Sequence, residues 1–199
     1  ENGMGAAFGD YDGDGDLDWF VSAIHDAEAT CAEFAGDAFS ALGVAPACYW
    51  GGSGNRLYEN EGGRRFSDAT ESAGVRAGGW GWGAAFLDFD NDADLDLVMT
   101  NGQTASQESP SDQYADDPVR LWVNEGTAAP MRDAAAATGL SGTGPGKGLL
   151  TFDYDRDGDL DVFIVNNGGT PTLWRNDGGD ATPWLRVDLE GVRSNRDGI

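Results

Sequence analysis

The sequence predicts an all-β fold made of repeated blades, each with about four short antiparallel strands. Two observations carry this expectation. One unit recurs three times, and each copy alternates short apolar runs with turn-forming residues. Glycine is abundant as well, at 31 of 199 residues, which favours turn-rich β structure over long helices.

The three copies align without gaps as GMGAAFGDYDGDGDLDWFV (3–21), GWGAAFLDFDNDADLDLVM (81–99) and GKGLLTFDYDRDGDLDVFI (146–164). Each carries Gly-x-Gly, a short apolar run, an Asp-rich loop, then Leu-Asp and three apolar or aromatic residues. A second module follows each copy: RLYENEG (56–62), RLWVNEG (120–126) and TLWRNDG (172–178). The tails SDATESAGV (67–75) and RDAAAATGL (132–140) complete the first two units. Asp10 and Asp88 are 78 positions apart, whereas Asp88 and Asp153 are 65 apart. The surplus lies between Val21 and Asn55 and reads as an inserted loop holding Cys31 and Cys48. A polar insertion at 103–118 marks the second unit.

Each unit supplies about four strands by pattern. In the second unit these are the run Ala84–Leu87, the run Leu95–Thr100 and the run Leu121–Asn124, followed by a fourth strand after the Asn-Glu-Gly turn. In the first unit the fourth strand falls near Arg65 to Ala69. The alanine run 134–137 is open between strand and helical turn. Four strands in about 60 residues fit a propeller blade, and an edge-paired β solenoid is the alternative. The expected organisation is unit one at 1–79, unit two at 80–143, unit three at 144–183 and a distinct segment at 184–199. About three blades make a partial propeller or part of an assembly.

The Asp-rich loops are candidate metal sites. The first holds Asp10, Asp12, Asp14, Asp16 and Asp18. The second holds Asp88, Asp90, Asp92, Asp94 and Asp96. The third holds Asp153, Asp155, Asp157, Asp159 and Asp161. Five carboxylates within nine residues repel one another. A hard dication ligated by several oxygens removes that cost, and flexible carboxylate geometry favours calcium over magnesium, with one ion per loop. Positions 1, 3, 5 and 9 supply carboxylates, and position 7 offers its backbone carbonyl. Position 6 is the sharp turn, where glycine reaches positive φ cheaply; Gly15 and Gly158 comply and Ala93 does not, so strain is expected in the middle loop. No Glu at position 12 and no flanking amphipathic helices support an EF-hand. Threefold repetition argues against a two-metal phosphoryl-transfer site and against solvated acidic turns.

The formal charge is −23, from 12 basic and 35 acidic residues. Such a chain repels nucleic acid and anionic membrane surfaces and attracts cations. No run reaches the ~18 apolar residues of a membrane helix. No signal peptide is visible, and the chain begins at Glu1, as a processed or truncated chain does. Cys31 and Cys48 form a disulfide if the protein is extracellular, and are two buried thiols otherwise.

At these loops and at the Leu-Tyr/Trp-x-Asn-Glu/Asp-Gly modules the sequence resembles the FG-GAP/VCBS repeats of integrin-α-like β-propellers. The ending WLRVDLEGVRSNRDGI (184–199) resembles the start of an ASPIC/UnbV domain, through Trp184, Leu185, Leu189, Gly191, Ser194, Asn195, Arg196, Gly198 and Ile199. That domain follows such repeats in cartilage-acidic-protein-like extracellular proteins. The resemblance implies calcium in each loop on positions 1, 3, 5, 7 and 9, an extracellular location, and a chain truncated or incompletely observed at its end.

Other motifs carry no chemistry. His25 is the only histidine and reads as a polar loop residue. Ser53 lacks the second glycine of a nucleophile elbow. GTGPGKG (142–148) resembles a phosphate loop, but Gly148 stands where Ser or Thr is required. The glycines of Gly-x-Gly read as close-packing positions. Trp80, Trp82, Trp122 and Trp174 read as core or inter-blade packing. Glu59, Glu61 and Glu125 read as structural turn residues. The expectation is a non-enzymatic, calcium-stabilised extracellular module whose partner is a protein, a glycan or copies of itself. The rivals are a lectin-like propeller and a non-catalytic domain of a larger secreted enzyme.

Overall fold

The apolar runs on either side of each Asp-rich loop pair with one another, so every loop becomes the tip of a hairpin. This is seen in a computed structural model that describes residues 3–25, 53–104, 114–126, 130–178, 184, 185, 187 and 190. The first sheet holds β1 (Gly5–Gly9), β2 (Asp18–Ser22), β3 (Arg56–Asn60) and β4 (Phe66–Asp68), in that spatial order. The second holds β5 (Ala84–Leu87), β6 (Asp96–Met99), β7 (Arg120–Val123) and β8 (Arg132–Asp133), again in sequence order. The third holds β9 (Gly146–Phe152), β10 (Asp161–Asn166) and β11 (Thr172–Trp174). All pairings are antiparallel, and the register joins Gly9 to Asp18, Leu87 to Asp96 and Phe152 to Asp161 across the mouth of each loop.

The protein is therefore all-β with a partial propeller-like arrangement, as the repeat pattern predicts. The first strands β1, β5 and β9 lie side by side, and each sheet meanders outward from them. The fourth strand expected in the third unit falls largely on residues outside the described set. So do Cys31, Cys48 and most of the polar insertion at 103–118.

After β4 the chain forms α1 (Thr70–Ala73), and after β8 it forms α2 (Ala135–Thr138). Alanine favours helix, and Gly74 and Gly139 end each turn in the left-handed region at φ 72° and 82°. The alanine run thus resolves as helix, and β8 shrinks to two residues.

The core lies between sheets, because strand alternation gives each sheet two apolar faces. Phe20 and Leu57 of the first sheet meet Leu97, Met99 and Trp122 of the second. The opposite face of the second sheet, through Leu87, Val98 and Leu121, meets Val162 and Ile164 of the third. All four residues of β6 are consequently buried.

Glycine makes the close approach possible. A Cβ on Gly5 would run into the backbone carbonyl of Trp82 on the neighbouring sheet, and one on Gly83 would lie 3.1 Å from Leu149 Cβ. The Ser22 hydroxyl donates to that same Trp82 carbonyl at 2.5 Å, joining the two sheets at the glycine contact. The recurring tryptophans also pack between sheets. Trp80 and Trp122 are buried, and Lys147 sits 3.5 Å from the centre of the Trp82 ring while donating to Gly102 O at 2.8 Å.

Candidate metal centres in the three Asp-rich loops

Each loop closes through its own carboxylates. Short acidic side chains readily accept nearby backbone N–H groups, which favours turns over regular structure. The position-1 carboxylate accepts the position-6 N–H: Gly15 to Asp10 at 3.0 Å, Ala93 to Asp88 at 3.1 Å and Gly158 to Asp153 at 3.2 Å. The position-5 carboxylate accepts the position-7 N–H: Asp16 to Asp14 at 2.8 Å, Asp94 to Asp92 at 2.9 Å and Asp159 to Asp157 at 3.0 Å.

Position 9 anchors the loop to the sheet. Asp18, Asp96 and Asp161 are completely buried. Each accepts two backbone N–H groups, one from position 2 and one from the Asn of the second module. For Asp18 these come from Tyr11 at 2.9 Å and Asn60 at 2.8 Å. For Asp96 they come from Phe89 at 2.7 Å and Asn124 at 2.8 Å, and for Asp161 from Tyr154 and Asn176, both at 2.9 Å.

In all three loops the carboxylates of positions 1, 3 and 9 converge. Asp10 with Asp12 and Asp18, Asp88 with Asp90 and Asp96, and Asp153 with Asp155 and Asp161 each bring ligand oxygens within 4.8 Å of one another. Among the described residues these are the clusters able to share a cation. The triads do not include the position-5 carboxylates Asp14, Asp92 and Asp157, nor the side chains of Asp16, Asp94 and Asp159 at position 7, where the expected ligand is the backbone carbonyl.

In the first two triads burial opposes the ionised carboxylate. Burial raises the Asp18 carboxyl above its usual range, against the two N–H groups that lower it. Burial likewise pushes Asp96 up to about 7, and burial followed by the charges of Asp92 and Asp88 raises Asp90. Asp10 Oδ1 is buried without a hydrogen-bond partner. A cation placed among these oxygens would offset both the burial and the like charge. Calcium–oxygen bonds of about 2.3–2.6 Å let two ligands on one ion stand up to roughly 5 Å apart, which the triads satisfy.

Two backbone features complete the loops. Position 6 takes positive φ in every copy, at 95° in Gly15, 77° in Ala93 and 101° in Gly158. The strain expected at Ala93 is present in its backbone. Position 4 does the same, with Gly13 at 74°, Asn91 at 54° and Arg156 at 68°, a second turn that the metal-loop pattern alone does not mark. An alanine in the left-handed region costs roughly 1–2 kcal/mol, and glycine gives back about 0.4–1 of this through the unfolded chain. Ala93→Gly is therefore expected to stabilise the protein by about 0.5–1 kcal/mol, read from the midpoint of urea unfolding.

Sequence reasoning treated Asn60, Asn124 and Asn176 as turn residues, and the structure gives them a larger part. Asn124 Nδ2 donates to Tyr11 O at 2.8 Å, and Asn176 Nδ2 donates to Phe89 O at 2.7 Å. Each amide thus reaches from its own sheet to position 2 of the preceding loop. The signal available in sequence was the threefold recurrence of that Asn in the second module. Asn91 Nδ2 adds a link between the second and third loops, donating to Asp159 Oδ1 at 3.1 Å.

Other residues singled out from sequence have structural surroundings. Glu59 accepts from Tyr11 Oη, Glu61 from Ser67 and Glu125 from Arg132. His25 donates its backbone N–H to Gly79 O, and Lys147 of the glycine-rich segment lies within β9.

Comparison with curated proteins gives no match. A family model described as FG-GAP-like repeat matches residues 37–99, a segment that contains β3, β4, the whole second Asp-rich loop and β6. In that segment the chain is similar to an FG-GAP-like repeat, a module of propeller-type domains.

Proposed function

We propose that this chain is a calcium-shaped, non-catalytic binding module of an extracellular protein. The observation that carries the reading is the convergence of three carboxylates in each of three equivalent hairpin tips, all-oxygen donor sets suited to a hard cation. Asp10, Asp12 and Asp18 would hold one ion, Asp88, Asp90 and Asp96 a second, and Asp153, Asp155 and Asp161 a third. The carboxylates at position 5 and the carbonyls at position 7 would complete each shell. Bound calcium would supply positive charge where burial and like-charge repulsion oppose ionisation, and would couple metal binding to folding.

The repeat match supports a propeller-type module, and such repeats are typical of extracellular proteins. No helix among the described residues is long and apolar enough to cross a membrane. On this reading the units span 1–79, 80–143 and 144–183, and 184–199 opens an ASPIC/UnbV-like segment as in cartilage-acidic-protein-like proteins. Cys31 and Cys48, which lie outside the described residues, would pair if the protein is extracellular. The partner is a protein, a glycan or a further copy of the chain.

Titration of metal-stripped protein with calcium is expected to give three ions per chain, and Asp10→Ala is expected to give two. A flat titration, or an Asp10→Ala chain that still binds three, overturns the reading.

A further inference from the structure

One position of the repeat changes the sign of its charge from unit to unit. It is the residue just before the recurring Asn of the second module: Glu59 in the first unit, Val123 in the second and Arg175 in the third. The position two residues further on is acidic in all three, as Glu61, Glu125 and Asp177, and so does not set the units apart.

In the third unit this residue reaches the Asp-rich loop. Arg175 Nη1 lies 3.8 Å from Asp155 Oδ2, on a carboxylate of the converging triad, and Arg175 Nε donates to Asp177 Oδ1 at 2.6 Å. The guanidinium also interacts with the Tyr154 hydroxyl, at position 2 of the same loop. In the first unit the same place holds the opposite charge. Glu59 accepts from Tyr11 Oη at 3.3 Å, again at position 2, and its charge meets that of Asp12 at position 3. In the second unit both members of this pair are apolar, with Val123 buried in the core and Phe89 packed against it. Where the residue is charged, it therefore faces position 3 of its own loop, steadied by the hydroxyl at position 2.

We infer that this residue sets how tightly its loop holds a cation, with Glu59 strengthening the first loop and Arg175 weakening the third. The inference rests on the reading of the loops as calcium sites and adds the rank of two of them.

The guanidinium is itself a cation seated on the third triad, and it takes up negative charge that a metal would use. An incoming dication must displace it from Asp155 or share that carboxylate with it. Asp177, already bonded to Arg175 Nε, keeps the guanidinium paired once it is displaced. Glu59 poses no such conflict and adds to the field that attracts an ion to the first loop. A unit charge a few ångströms from a dication, in a loop open to solvent, changes its affinity roughly tenfold.

The test is calorimetric titration of the full, metal-stripped chain with calcium at about 0.1 M salt. Asp10→Ala and Asp153→Ala assign the steps: each is expected to remove one, and the step lost with Asp10 is expected to be the tighter. Arg175→Val places the second unit's residue at an exposed position, and an unchanged circular dichroism spectrum checks that the variant folds. It is expected to tighten the Asp153 step about tenfold, whereas Arg175→Lys, which keeps the charge, tightens it less than about twofold. The gain should shrink as salt rises, which a change of packing would not do. Glu59→Gln is expected to loosen the Asp10 step. Arg65→Val, which alters net charge equally from an exposed turn of the first sheet, is expected to leave the Asp153 step in place. Calcium binding in which Arg175→Val leaves that step unchanged, in which Arg175→Lys or Arg65→Val tightens it as much, or in which Glu59→Gln leaves the Asp10 step unchanged overturns the inference and leaves the metal reading standing. A chain that takes up no calcium, or loses no step with either aspartate, overturns both.

Discussion

Asp96→Ala is expected to lower stability by about 3–5 kcal/mol, in calcium or with a chelator. The side chain is fully buried and serves the second sheet twice over. Its oxygens take the N–H groups of Phe89 and Asn124, one at each side of the sheet's inner hairpin. Truncation leaves both donors buried and unsatisfied, and a hydrogen bond to a charged group is worth roughly 1.5–3 kcal/mol. Against a total stability of about 5–15 kcal/mol, this is a large share. Asp16→Ala is the control: its side chain is exposed and outside the converging triad, and the midpoint of urea unfolding is expected to move by less than about 0.5 kcal/mol. Equal losses from the two substitutions would refute the anchoring role assigned to position 9.

The second large effect is expected at a glycine. Gly5→Ala should cost about 3 kcal/mol, near the upper end for overpacking. The added methyl would face a backbone carbonyl, that of Trp82, which cannot swing away as a long side chain can, and would crowd Ser22 Oγ at 2.9 Å. Relief requires parting the first and second sheets, which also breaks the bond from the Ser22 hydroxyl to Trp82 O. Gly148→Ala, at the matching position of the third repeat, where the added methyl would meet only Val165 at 3.6 Å, is expected to change stability by less than about 0.5 kcal/mol. Thermal unfolding of the pair at low protein concentration decides the point. A cost at Gly148 equal to that at Gly5 would mean that the glycine matters through backbone conformation and not through its neighbour.

Much of this was legible in the sequence because the repeats are nearly gapless. Alignment located the inner strands to within a residue or two. Ala84–Leu87 is the strand expected, and β6 starts at Asp96, one residue inside the expected Leu95. The Gly-x-Gly motif announced close packing, and Gly5 and Gly83 show what packs there. Position 6 announced a left-handed turn even where alanine occupies it.

What was not legible depends on contacts between units. The side chains of Asn124 and Asn176 act across sheets, and nothing local distinguishes an Asn that holds a turn from one that also holds a neighbour. The short helix α1 was obscured because a four-residue helix leaves no periodicity to read, and for the same reason the alanine run of α2 stayed open between strand and helical turn. Their signal was the glycine at 74 and 139, placed to end a turn. Position 4 escaped for the opposite reason, since Asn91 and Arg156 hold positive φ without being glycine.

The amide bridges have a consequence for how the loops communicate. Asn124 donates its backbone N–H to Asp96 in the second loop and its side chain to Tyr11 O in the first. Asn176 joins the third loop to the second in the same way, through Asp161 and Phe89. The three loops therefore form a chain of nearest neighbours, in which a shape change at one is felt at the next. If calcium sets those shapes, an ion in one loop changes the affinity of its neighbour, and linkage makes the change equal in both directions. The loops would then fill as a coupled array, and the steepness of filling would report the sign and strength of the coupling between neighbouring sheets.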